Sequence, residues 1–137
     1  MTYGNRKSVD LYAISDYNNR ALKIEVKTSQ QGNFVTCISQ KHLEDDPCAP
    51  DFWVLFQIRP EGTGKFTERF FILTHKEICG VQKGRNKVYE DKYMVRHGCK
   101  PDLSKGVDNV TAADVEQFED LWSKIVGHYR TLKGSAR

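Results

Sequence analysis

Between Asp51 and Ile58 the chain reads Asp-Phe-Trp-Val-Leu-Phe-Gln-Ile, an almost unbroken apolar run with one glutamine inside it. Such a run is a strand buried on both faces of its sheet, and that excludes any fold in which the sheet keeps one wet face along its middle. Phe66 to Leu73 reads as its neighbour, with Gly62-Thr-Gly64-Lys65 turning the chain between them. The 137 residues, 39% hydrophobic and 28% charged, supply apolar material for a single core. With no repeat, low-complexity block or internal boundary, residues 1–137 form one domain.

The remaining elements follow from periodicity and caps. Val9 to Ile14 is a short apolar-rich run, and Ala21 to Thr28 alternates Leu22, Ile24 and Val26 with Lys23, Glu25 and Lys27, as a half-buried strand does. Asp16 to Arg20 between them is turn-forming, so the first unit is a β-hairpin. Phe34 to Ser39 is a third strand, and Gln40 to Asp46 a short helix or loop ending at Pro47 and Pro50. Thr74 with Glu77 forms a capping box for a helix to about Gln82, after which Gly84 to Asn109 reads as mostly loop. Thr111 caps the last helix, with Val115, Phe118, Leu121, Trp122 and Ile125 on one stripe packing on the sheet. Thr131 to Arg137 reads as a frayed tail. The expected fold class is α/β, a mixed sheet with the last helix on one face.

Charge and cysteines narrow the setting. A net charge of +3 suits a polyanionic partner without requiring one. Cys37, Cys48, Cys79 and Cys99 include no CxxC pair, and no run resembles a signal peptide or a membrane span, so free thiols in a reducing cytoplasm are expected. A zinc site using His97 and Cys99 lacks paired ligand spacing. Gly62 and Gly64 do not make a phosphate loop, which needs glycine at Arg59 and Ser or Thr at Phe66. His75 and His128 read as surface or cap residues.

If Asn18 and Asn19 form a two-residue turn, Asp10 lies opposite Lys27 and Tyr12 opposite Glu25, all four on one face of the hairpin. Leu11, Leu22, Ile24 and Val26 take the other. Two carboxylates and a lysine on one patch of sheet suit metal-assisted phosphodiester hydrolysis. The acids offer oxygen ligands to a hard divalent ion, the ion polarises the phosphate and acidifies a water, and the ammonium orients that water and offsets developing charge. The same alternation also describes an ordinary solvated strand face.

Val9-Asp10-Leu11-Tyr12, a turn, then Ile24-Glu25-Val26-Lys27-Thr28 resembles the pattern of the PD-(D/E)xK nuclease superfamily, in which an Asp on one strand precedes Glu-x-Lys on the next. The resemblance implies a restriction endonuclease-like core, a mixed central sheet flanked by helices, to which Asp51 to Ile58 would belong. It implies that Asp10 and Glu25 ligate Mg²⁺, or Mn²⁺ in its place, with the backbone carbonyl of Val26 a further ligand, and that Lys27 positions the attacking water. Gln30 matches a glutamine that some branches carry soon after the lysine, and reads equally as a loop residue. The family's usual first helix has no counterpart in Met1 to Ser8, so the core lacks most of it. Either the chain is a truncated form, or another segment or a second subunit supplies that wall.

The implied activity is a metal-dependent endonuclease acting on nucleic acid, with DNA the first candidate and a homodimer one possible form. Phosphate contacts are expected from the Lys83 to Lys105 stretch, chiefly Lys83, Arg85, Lys87 and Arg96, interleaved with Tyr89 and Tyr93. Two other readings stand beside it: a catalytically silent DNA-binding or assembly module of the same fold, and an unrelated partner-binding protein.

Overall fold

Residues Phe52–Pro60 form β4, and its side chains divide the molecule into two cores. A computed structural model of the chain describes residues 10–15, 20–38, 44–103 and 108–134. Because successive strand residues point to opposite faces, Trp53 and Leu55 enter one core and Phe52 and Val54 the other. Trp53 and Leu55 are fully buried, as the sequence predicts for a strand covered on both sides.

Around β4 the sheet runs in the order β1-β2-β4-β5, with β1 at Leu11–Ile14, β2 at Ala21–Ser29 and β5 at Phe66–Thr74. β1 is antiparallel to β2, β2 is parallel to β4, and β4 is antiparallel to β5, so the sheet is mixed and the α/β class holds. The parallel step needs a long crossover. Within it, β3 (Asn33–Val35) pairs with β6 (Asn109–Thr111) in a separate two-stranded sheet, so the expected third strand does not join the main sheet. Gly32 lets this crossover pass close to β4. It has φ +75°, and a Cβ there would sit 3.0 Å from Gln57 Nε2 and 3.1 Å from Ala112 Cβ.

Helix α1 occupies His75–His97, 23 residues where the capping box at Thr74 was expected to start a helix ending near Gln82, and it replaces the first half of the expected loop between Gly84 and Asn109. Only His75, Ile78, Cys79 and Gln82 are buried, so beyond the second turn the helix leaves no apolar period in the sequence. Its ends are well specified. Thr74 Oγ1 accepts from Glu77 N while Glu77 accepts from Thr74 N, and Gly98 ends the helix in the left-handed region.

The expected final helix is divided. Thr111 ends β6, Asp114 accepts from its N–H and hydroxyl, and a single 3₁₀ turn covers Glu116–Phe118. Helix α2 spans only Ser123–Gly134, which includes part of the expected tail. The break lies at Asp120, with φ 55°, whose N–H bonds to Phe70 O beside the Phe71–Glu119 bridge. There the chain rounds the β5 edge. Val115 and Phe118 therefore pack in the Trp53 core, and Leu121 and Ile125 in the Phe52 core. The single predicted stripe serves both faces of the sheet.

Glu77 joins the two helices, since Lys124 Nζ lies 2.8 Å from both of its carboxylate oxygens. Burial pushes the Glu77 carboxyl up, but the Lys124 ammonium and the Thr74 N–H and hydroxyl outweigh it and hold the group below its ordinary value of 4.5. A carboxylate with a depressed folded pKa stabilises the fold above its unfolded value, and that contribution fades as pH falls through the folded value. Glu77→Ala is expected to cost about 1–2 kcal/mol at neutral pH through the lost cap and ion pair. Urea denaturation at neutral pH and at about pH 3 checks both this cost and a smaller loss of stability on acidification than in the parent protein.

Candidate functional site

The alternation of β2 and its parallel partner fix the site. Lys23, Glu25 and Lys27 project to the face that Trp53, Leu55 and Gln57 share, with Glu25 beside Trp53 and Lys27 beside Leu55. Central position in the sheet buries Glu25 to 4% exposure, where the sequence reading allowed for a wet face. One carboxylate oxygen, Oε1, lies 2.6 Å from Lys27 Nζ. The other, Oε2, is buried without a hydrogen-bond partner among the described residues. An unsatisfied buried carboxylate oxygen is costly, and an acceptor left without a donor is a place for a cation or an ordered water.

Asp10 comes to the same strand from the other side. Its N–H bonds to Ile24 O, and its Oδ2 accepts from Val26 N at 2.8 Å. The N–H and C=O of one strand residue point the same way, so the Val26 carbonyl is also directed to this edge. The carboxylate of Asp10 thus sits against the residue between Glu25 and Lys27. This is not the expected register. The ladder pairs Leu11 with Ile24 and Tyr12 with Lys23, and closes where Ser15 N donates to Arg20 O, while the expected Asn18-Asn19 turn lies outside the described residues. Asp10, just before the ladder, bonds to Ile24 and Val26 and does not stand opposite Lys27 as expected. A shift of two residues preserves side-chain facing, so Tyr12 stays on the Lys23 face and Leu11 joins Ile24. On the far side of β2 an analogous contact fixes β4, because Asp51 Oδ2 accepts from Lys23 N at 2.8 Å.

By chemical type alone, these donors are ones a hard divalent cation accepts. Asp10, Glu25 and the Val26 carbonyl offer oxygen only, and Glu25 Oε2 is the orphaned atom that a cation would satisfy. Among the described residues no group of three or more His, Cys, Asp or Glu side chains is gathered where it could hold a metal.

Several residues on this face were not singled out by sequence. Gln57, buried at 4%, donates from Nε2 to Gln30 O at 3.3 Å and leaves Oε1 without a partner. The signal for it was present, since it is the one polar residue inside the apolar run. His75, expected as a surface or cap residue, opens α1 next to the Thr74 cap and is buried: Trp53 Nε1 donates to its Nδ1 at 3.1 Å, and its Nε2 lies 3.4 Å from Cys79 Sγ. With Nδ1 occupied as an acceptor, the neutral imidazole carries its proton on Nε2, facing the sulfur. Burial raises the Cys79 thiol to about 11, so this pair is a packed polar contact and no activated nucleophile. His128 stacks edge-on against Phe52 at 5.7 Å. All four cysteines are free thiols.

Of the residues expected to contact nucleic acid, Lys83, Arg85, Lys87 and Arg96 lie on α1, Lys100 follows it, Gln30 follows β2, and Lys105 lies outside the described residues. Lys83 pairs with Glu44, Arg85 with Asp114 at 2.5 Å, and Lys87 with Asp91 at 3.6 Å. Arg96 is exposed. No described helix is long and apolar enough to cross a membrane. Comparison with protein-family models, with curated proteins and with solved structures finds no match.

The Glu25–Lys27 pair can be tested by a double-mutant cycle. Lys27→Met leaves the Glu25 carboxylate buried without its counter-ion, and is expected to cost about 1–3 kcal/mol, less than a fully buried pair because Lys27 is partly exposed. Adding Glu25→Gln is expected to restore most of that loss, as read from urea denaturation midpoints of the four proteins.

Proposed function

We propose that the protein is a metal-dependent endonuclease of the PD-(D/E)xK type, with DNA its first candidate substrate. The observation that carries the reading is the buried Glu25 carboxylate, with Lys27 on one oxygen, no hydrogen-bond partner on the other, and Asp10 against the intervening Val26. Asp10, Glu25 and the Val26 carbonyl would hold Mg²⁺ or Mn²⁺. When bound, such an ion polarises the phosphodiester and makes water a better nucleophile.

The chain's own residues would do the rest. Lys27, partly exposed and tethered to Glu25, holds its ammonium at the mouth of the site, where it orients the attacking water and offsets negative charge on the phosphorane. Glu25, on a central strand and wedged beside Trp53, cannot swing away, so the donor set is held in place before substrate arrives.

A silent nucleic-acid-binding module is the second reading. It is favoured by the ion pair itself, since a lysine bound to a buried glutamate is also a structural motif.

Cleavage of supercoiled plasmid and of labelled oligonucleotides in Mg²⁺ or Mn²⁺ separates the two. The endonuclease reading expects cleavage that EDTA abolishes and that Lys27→Ala or Glu25→Gln reduces by about 10²–10³-fold. A folded protein that cleaves nothing in either metal would remove the endonuclease reading and leave the silent binding module or an unrelated partner-binding protein.

A further inference from the structure

The projecting half of α1 has a composition and geometry that the β2 site does not explain. From Lys83 to Lys100 there are six basic and two acidic side chains, a net of +4 against +3 for the whole chain, so the rest of the molecule is slightly acidic. Lys83, Arg85, Lys87 and Lys100 are engaged in ion pairs within the molecule. Lys92 and Arg96 have none among the described residues, and both are exposed.

Beside these two cations runs a row of rings at four-residue spacing. Tyr89 and Tyr93 stand 6.0 Å apart between centroids, and Tyr93 and His97 stand 4.3 Å apart. Tyr89 is 53% exposed, far from the burial such a ring reaches in a core. Tyr89, Lys92, Tyr93, Arg96 and His97 together line a concavity of about 260 Å³. Flat rings interleaved with uncommitted cations match the two parts of an unpaired nucleotide, a π-face to stack and a phosphate to neutralise. A continuous duplex presents its bases already stacked and paired, and would use the cations while leaving the rings idle.

We propose that this face of α1 binds single-stranded nucleic acid, with bases on Tyr89, Tyr93 and His97 and phosphates on Lys92 and Arg96. The inference rests on the nucleic-acid reading of the β2 site and names its substrate class, a strand with unpaired bases.

Fluorescence anisotropy in EDTA, with a labelled oligothymidine strand and a labelled duplex of equal length, tests it without cleavage. The strand is expected to bind at least about tenfold more tightly than the duplex, and Tyr89→Ala with Tyr93→Ala to weaken strand binding about tenfold or more, with duplex binding unchanged. Lys92→Gln with Arg96→Gln, both at exposed positions, is expected to lower the salt dependence of strand binding by about 1.4 in slope. This second pair keeps the test open should the tyrosine variant lose its circular-dichroism spectrum. Equal affinity for strand and duplex with the tyrosine changes silent, or binding of neither probe, overturns the inference. Strand binding without metal-dependent cleavage would remove the catalytic reading and leave this one standing. Cleavage with unaltered strand binding in both variants would do the reverse.

Discussion

The parallel pairing of β2 with β4 is the constraint from which the rest follows. It turns an alternating strand into a central one, so that the polar side chains of β2 cannot all face water. Leu22, Ile24 and Val26 enter the core beneath α2, and Lys23, Glu25 and Lys27 are placed beside Trp53 and Leu55. In a two-stranded hairpin those three charges would be a wet face of little energetic consequence. With β4 alongside, Glu25 is buried and Lys27 becomes its necessary neighbour.

The same pairing explains why both faces need cover. Trp53, Leu55, Phe71 and Leu73 form one hydrophobic floor, closed by Ile78 and Cys79 of α1 and by Phe34 and Val110 of the small sheet. Phe52, Val54 and Ile72 form the other, closed by Leu121 and Ile125. One chain reaches both floors because Asp120 turns it around the β5 edge, held there by the bidentate Arg69–Glu119 pair at 2.9 Å for each bond. Loss of that turn would separate α2 from the Phe52 core even with both helices intact.

What was legible in the sequence was whatever left a period. The apolar run of β4, the alternation of β2 and the capping box at Thr74 each specify their element locally. The facing of Tyr12 relative to β2 survived an error of two positions in register, because side chains repeat every two residues and a one-residue slip alone would have reversed it. The distal half of α1 was illegible for the opposite reason. It contacts little of the core, so no apolar stripe marks it, and Gly80 and Gly84 suggest interruption. Its helicity is specified by its ends and by local charge pairs such as Lys87–Asp91. The division of the last stripe was invisible too, since Val115 to Ile125 keeps helical spacing across a turn that tertiary packing breaks.

Glu25 is where local and global demands disagree. An apolar residue of similar size would fill the position beside Trp53 without an orphaned oxygen, and β-branched residues suit a central strand better than glutamate does. Lys27 offsets part of the charge but satisfies only one of the two oxygens. Gln57 repeats the pattern on the next strand, a buried polar side chain with one acceptor unmet, on the same face of the sheet. By contrast, the buried Thr36 donates to Gln82 at 2.8 Å, and Gln82 in turn to Asn86. Among the described residues, the two unmet buried acceptors thus lie on one face of β2 and β4. Of the two, Glu25 carries the charge, and only there does the missing partner have to be a cation or a strong donor.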